Sequence, residues 1–357
     1  MNINNNFKIR LFKAVFVVYV SSFFISCENM STAKLNLKLW YQQPANASKK
    51  DSFDDVWKDD PEWVKALPLG NGSLGAMVFG DVNYERIQLN EESMWSGSPD
   101  DNNNPNAYLA QSKIRELLFD NKYKEATALT EKTQICKGKG SAEAYGATEP
   151  YGSFQTLGDL WIDFEKESNY QDYKRELDLE EAVVRVSYTQ ENVQYKREIF
   201  ISQPNQLMVI KLTANKPGKI SFKASMTRPE KFQTSTKNNQ LMMYGALSDG
   251  KGGDGLQYMA RLSAVNKNGT VRYSNTDLIV ENADEVLLLM TASTDYVLNY
   301  PNYKGREYKK ITETNLQKGI ETSYKELWNQ HKEEYQHYYK RVAFKLTSEA
   351  DTIPTDV

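Results

Sequence analysis

The chain has 357 residues, 40% hydrophobic and 25% charged, a balance that fits a folded globular protein and excludes a disordered or membrane-embedded one. Lys and Arg (44) nearly match Asp and Glu (47), so the net charge is only −3, with no basic stripe to mark a nucleic-acid partner. Aromatics reach 12%, with 22 Tyr and 6 Trp, which suits β-sandwich cores and equally suits surfaces that stack on sugar rings.

Residues 1–26 read as a signal peptide. Lys8, Arg10 and Lys13 supply a positive start, and the apolar run Ala14 to Ile25 follows. That run is far shorter than the roughly 20 residues of a spanning helix, so it marks export and not a transmembrane anchor. It ends in Phe24-Ile25-Ser26-Cys27, which resembles the lipobox of bacterial lipoproteins, although Phe24 stands where Leu is usual. The resemblance implies a diacylglycerol on Cys27, a polar tether over residues 27–34, and a protein anchored in a membrane of the periplasm or cell surface by lipid alone. Cys136 is then a lone thiol in the Lys132 to Gly140 stretch, with no His near it in sequence, and is expected to be incidental.

From about Leu35 the pattern is one of short strands. Leu35, Leu37 and Leu39 alternate with other residues. Gly70-Asn71-Gly72 predicts a tight turn before a strand that enters the core. Leu89 to Gly97 gathers an amide, two adjacent carboxylates and an indole. That mixture suits either a surface that orients sugar hydroxyls under a stacking ring, or a loop whose Asn and Glu satisfy local backbone groups.

A small helical insertion follows. Asn104-Pro105 is expected as cap and first helical residue, with Leu109, Ile114, Leu117 and Leu118 sharing one face before Tyr123, Ala126 and Leu129. Gly138 to Gly152 reads as a loop.

Period-2 alternation then returns at Val184-Val186-Tyr188, Val193-Tyr195-Ile199, Met208-Ile210-Leu212, Ile220-Phe222-Ala224, Leu256-Tyr258-Ala260-Leu262 and Val286-Leu288-Met290. So many half-buried strands in series predict a sandwich or barrel. Asn266-Lys267-Asn268-Gly269 is expected to close a hairpin between two of them. After Tyr300 the period changes. Ile311, Leu316, Ile320, Tyr324, Leu327, Tyr335 and Tyr338 fall near helical spacing, predicting amphipathic helices laid on the β domain. A short strand, Val342 to Leu346, and a polar tail are expected to close the chain.

The residue inventory narrows the chemistry. The two histidines, His331 and His337, lie six apart on a helix that looks exposed, about 240° around it, so they cannot form an i, i+4 zinc pair. With no other His and no Cys pair, no metal site is expected, and a Ser-His-Asp triad would have to take its base from that one helix. Phosphate-loop and dinucleotide fingerprints are missing, so no nucleotide cofactor is expected. Paired carboxylates, as in glycoside hydrolysis, remain possible chemistry, but spacing singles out no catalytic pair.

The segment Ala66 to Gly80, then Leu89 to Gly97, then Asn102 to Pro105 closely resembles the N-terminal domain of glycoside hydrolase family 95, the inverting α-L-fucosidases with some α-L-galactosidases. Further stretches match in family order, Leu39 to Tyr41 before that segment and, after it, Ile114 to Phe119, Tyr123 to Ala126, Phe154 to Leu160, Tyr173 to Leu179, Tyr195 to Glu198, Thr291 to Tyr296, and His331 to Val342. Ser73 departs from the family, which often has Arg there.

The resemblance implies a mainly β fold: a large N-terminal β super-sandwich over residues 35–303 with the small helical insertion, then an α-helical linker over 304–345. Residues 346–357 would begin the connection to an (α/α)6 barrel, which in the family carries the catalytic acid and the asparagine-assisted base. The sequence is expected to stop about there, so no catalytic residue is assigned. Asn90, Glu91 and Trp95 are candidates to wall the substrate pocket on the side facing the barrel. The expected ligand is a fucosylated oligosaccharide or polysaccharide, and the expected protein partner is the barrel, in cis or split. An alternative is a non-catalytic glycan-binding surface lipoprotein. A stand-alone hydrolase within the sandwich would need a convergent carboxylate pair. Without the barrel, an apolar face should be exposed.

Overall fold

The computed structural model describes residues 37–46, 62–137, 146–165, 169–344 and 353–357. The signal peptide, Cys27 and the tether fall outside the described residues, as does Leu35. Apart from Leu37, Ala343 and Phe344, what is described belongs to one compact unit, Lys38–Val342 with Ile353–Val357.

The strands, in chain order, are β1 (Lys38–Tyr41), β2 (Leu67–Gly70), β3 (Leu74–Val78), β4 (Tyr84–Glu91), β5 (Gly158–Asp163), β6 (Tyr170–Asp178), β7 (Val183–Gln190) and β8 (Val193–Ser202). They continue as β9 (Leu207–Ala214), β10 (Ile220–Thr227), β11 (Gln233–Lys237), β12 (Gln240–Ser248), β13 (Asp254–Lys267), β14 (Thr270–Tyr273), β15 (Asp277–Ala283) and β16 (Glu285–Thr294). Among the described residues they form two antiparallel sheets. The first runs β1-β6-β7-β8-β9-β16-β13-β12-β11, and the second runs β14-β15-β10-β5-β4-β3-β2. The mainly β fold is the expected one.

The alternating residues explain why the sheets meet. Val184, Val186, Ile210, Leu212, Leu288 and Leu262 from the first sheet pack with Ile87, Leu89, Leu160, Ile162, Phe222 and Val280 from the second in one continuous core. Each such side chain, fully buried, contributes about 1.5–3 kcal/mol. The first sheet is covered on both faces. On its other side Val183, Phe200, Leu207, Val209, Leu287 and Leu289 pack with Leu316 and Leu327 of two helices, α3 (Tyr308–Glu321) and α4 (Tyr324–Tyr339). Helix α3 approaches closely because Gly319 lacks a side chain: a Cβ there would sit 2.3 Å from Leu207 Cδ1. Helix α4 begins at Ser323, whose hydroxyl accepts the Glu326 N–H at 3.3 Å.

The helical insertion comprises α1 (Tyr108–Phe119) and α2 (Tyr123–Thr133). It starts later than expected. Asn104 does accept the Asn106 N–H through Oδ1 at 3.0 Å, but that contact closes a preceding turn and the helix begins at Tyr108. Only Leu117 and Ala126 are buried there, while Tyr108, Leu109, Leu118, Phe119 and Tyr123 stay exposed, so the expected shared face is not a core face.

Three further expectations change. Asn268 and Gly269 have the positive φ values (55° and 67°) of a hairpin turn, yet β13 and β14 do not pair; the turn carries the chain from one sheet to the other. The described part of the expected final strand, Val342 to Phe344, is irregular and Val342 is exposed; residues 345 and 346 lie outside the described residues. His331 is buried, not exposed, because it follows Leu327 by four residues and so shares the face turned to the sheet. Its Nε2 donates to the Glu181 carbonyl at 2.9 Å, and its ring lies 4.6 Å from that of Phe200. At the other end of the chain, the Thr355 N–H donates to the Trp40 carbonyl at 2.9 Å.

Candidate functional site: an aromatic cleft at one end of the sandwich

The segment that stood out in the sequence is built as a turn, a strand and a loop. Asn71 Oδ1 accepts the N–H groups of Ser73 (3.0 Å) and Leu74 (2.8 Å), fixing the turn between β2 and β3. Strand β4 then alternates, with Ile87, Leu89 and Glu91 directed into the sandwich. Asn90 therefore lies on the opposite face, across from Gly75, and its buried Oδ1 has no hydrogen-bond partner among the described residues.

Glu91 ends the strand almost fully buried. Its Oε2 accepts the N–H of Ser93 (2.7 Å) and the Ser93 hydroxyl (2.6 Å), and Ser93 Oγ lies 2.5 Å from Thr294 Oγ1. Oε1 has no partner among the described residues. Burial pushes the carboxyl above the usual range, against the pull of the Ser93 donors.

Beyond Ser93 the chain leaves the sheet. Trp95 forms an isolated bridge with Phe154, and their rings meet edge-on at 5.6 Å, which leaves the indole 54% exposed. Backbone donors then clamp the loop: Ser96 to the Ser153 carbonyl (3.0 Å), Gly97 to Ser248 (2.7 Å) and Ser98 to Pro150 (3.0 Å). The crossing is tight enough that a Cβ on Gly152 would lie 1.7 Å from the Ser96 carbonyl oxygen.

A second loop faces it from the end of β16. Asp295 and Gln257 exchange bonds, the N–H of each donating at 2.9 Å to the other's Oδ1 or carbonyl. Gly305 and Arg306 donate back to the Asp295 carbonyl at 2.9 and 3.1 Å. This returns Tyr303 beside Tyr296, with rings nearly parallel (4°) and centroids 6.5 Å apart. Lys304 Nζ donates to the Gly255 carbonyl at 2.6 Å.

Between the loops lies a cleft of about 660 Å³, lined by Glu92, Ser93, Trp95, Ser98, Tyr151, Leu256, Tyr296, Tyr303 and Lys304 among others. That volume falls within the roughly 300–1,000 Å³ of small-ligand sites. Of the three residues singled out in sequence, Trp95 lines the cleft, Glu91 lies behind it through Ser93, and Asn90 is elsewhere. Tyr296, Tyr303 and Lys304 were missed, and Glu92, the second of the two adjacent carboxylates, was not named as a wall residue. A tyrosine run at 296, 300 and 303 was the available signal for the second wall. Among the described residues no group of three or more His, Cys, Asp or Glu is arranged to hold a metal ion.

Residues 39–299 match the family described as glycosyl hydrolase family 65, N-terminal domain. The chain belongs to this family. Similar proteins include "Alpha-L-fucosidase 2" of Arabidopsis thaliana, 31% identical over 80% of this chain and 35% of its own length. "Probable alpha-fucosidase A" of Aspergillus niger is 30% identical over 82% of this chain and 38% of its own. The chain thus spans little more than a third of these relatives. The family-65 match carries a different number from the family-95 resemblance read in the sequence, while the relatives bear the fucosidase name. What the two share is that the protein is glycosidase-like.

Proposed function

We propose that this chain is the N-terminal β-sandwich portion of an α-L-fucosidase-like glycoside hydrolase of the family-95 type, acting on fucosylated glycans. The observation that carries this is the alignment of two proteins named as fucosidases over four fifths of the chain. Hydrolysis with inversion needs an acid and a base some 6.5–9.5 Å apart with a water between them. Neither Glu91, tied up with Ser93, nor the exposed Glu92 has an assigned carboxylate partner for that work. We therefore assign the chemistry to a barrel domain, in cis or split, and to this chain a share of glycan binding, with Trp95 as a wall and Glu91 holding that wall through Ser93. The positive start, short apolar run and Cys27 support export and lipid anchoring.

The test is a glycan array probed with residues 28–357, run beside an aryl α-L-fucoside assay. Retention of α-L-fucosylated glycans over their defucosylated counterparts, without turnover, is the expected result. Equal retention of glycans with and without fucose overturns the substrate class, and turnover by this chain alone overturns the placing of the chemistry. The exposed Trp95 in an open cleft also favours a second reading, a glycan-binding lipoprotein without catalysis. Fucoside turnover by the complete gene product excludes it.

A further inference from the structure

We infer that the cleft is a preformed subsite for an uncharged oligosaccharide, one sugar ring stacking on Trp95 and a second on the Tyr296–Tyr303 pair. This rests on the glycosidase reading but goes further, because it assigns binding to residues of this chain without any other domain.

A pyranose ring has apolar C–H faces and a rim of hydroxyls, so its site needs flat apolar platforms with polar groups beside them. The cleft offers a platform on each of two loops that join distant parts of the sequence. Neither has to be ordered by the ligand. Trp95 is held edge-on by Phe154 and followed by three backbone clamps, and Tyr303 is returned by the bonds to Asp295. Such preorganisation lowers the entropic cost of binding.

The polar rim suits hydroxyls. Glu92 offers an exposed carboxylate, and Lys304 has three ammonium donors of which the Gly255 carbonyl takes one. One acid and one base line the cleft, so nothing in the lining selects a charged sugar. Ser98 Oγ, on a cleft-lining residue, is buried without a hydrogen-bond partner among the described residues. A buried polar group is rarely left so, and a ligand hydroxyl or its bridging water would satisfy it.

The experiment is calorimetry of the chain with a fucosylated trisaccharide, its unfucosylated disaccharide core and free L-fucose. The trisaccharide should bind, and free fucose should bind roughly tenfold more weakly or worse. Trp95→Ala and Tyr303→Ala should each weaken trisaccharide binding by roughly tenfold or more. Trp95→Phe should recover most of the loss, and Trp63→Ala, outside the cleft lining, should change nothing. No heat from millimolar trisaccharide, or equal affinity for the free monosaccharide, overturns the inference while leaving the fucosidase reading standing. Equal affinity for the unfucosylated core sustains the subsite and overturns the fucoside assignment.

Discussion

Glu85 on β4 and Arg197 on β8 form an ion pair that joins the two sheets where neither side chain reaches solvent. Glu85 Oε1 also accepts the Gly80 N–H at 2.7 Å, and Arg197 Nη2 donates to the Val82 carbonyl at 3.2 Å. The guanidinium lies over the rings of Phe164 (4.7 Å) and Tyr188 (5.4 Å). Burial pushes the Glu85 carboxyl upward against the attraction of Arg197. Breaking such a pair strands a buried charge, so Arg197→Met should cost about 3–5 kcal/mol, read as a lower denaturant midpoint. The double variant Glu85→Leu with Arg197→Met should recover most of that loss; a double variant as weak as the single one would show that the pair itself is indispensable.

Acid should loosen α4 before the sandwich. Burial holds the His331 imidazole below its ordinary 6.5. Its neutral form therefore stabilises the fold fully above 6.5, and that contribution is lost as pH falls below it. Glu181 is pushed up by burial, but hydrogen bonds from Lys332 (2.7 Å) and Arg185 (2.6 Å) prevail and hold it at about 2. Its contribution is complete above 4.5 and lost as pH falls toward 2. Hydrogen exchange of the α4 amides, corrected for intrinsic rates, should accelerate in both windows. Glu181→Gln should abolish the lower one only.

Glu91 should matter to ligand binding without reaching the ligand. Glu91→Ala removes the acceptor for two Ser93 donors, a loss of about 1–3 kcal/mol by thermal or chemical melting. It should also free the Trp95 loop and weaken glycan binding. Glu91→Gln keeps an oxygen for Ser93 and should retain most affinity; equal loss in both variants would point to a direct role for the charge.

Gly152→Ala tests the crossing of the two loop segments. The added Cβ would meet the Ser96 carbonyl oxygen at 1.7 Å, a backbone atom that cannot turn aside. The clamps on Ser96 and Ser98 should give way, at about 1–3 kcal/mol, and open the Trp95 wall. Unchanged ligand affinity with unchanged stability would contradict the geometry.

Much of the sandwich was legible because alternation is a local signal with a global consequence. Val184, Val186 and Tyr188 face the core as their spacing requires. The same rule, carried two residues past Leu89, turns Glu91 inward and leaves Glu92 at the cleft. Pair choice is not local. Asn268 and Gly269 have hairpin backbone angles, but β13 finds its neighbours in β12 and β16. Tyr296 and Tyr303 could not be linked to Trp95 by sequence, since only the closing of the sheets brings residues some two hundred positions apart to one cleft. The helix that carries His331 looks exposed in sequence, but the residue's position relative to Leu327 decides its burial.

We place the glycan at the Trp95 end of the sandwich. Six tryptophan indoles report on it by NMR, among them Trp95 in the cleft, and Trp63 and Trp161 at the second sheet away from the cleft lining. Titration with a fucosylated trisaccharide should move the Trp95 Nε1–H resonance and leave those of Trp63 and Trp161 in place. Shifts confined to Trp63 and Trp161, with Trp95 unmoved at saturation, would contradict it.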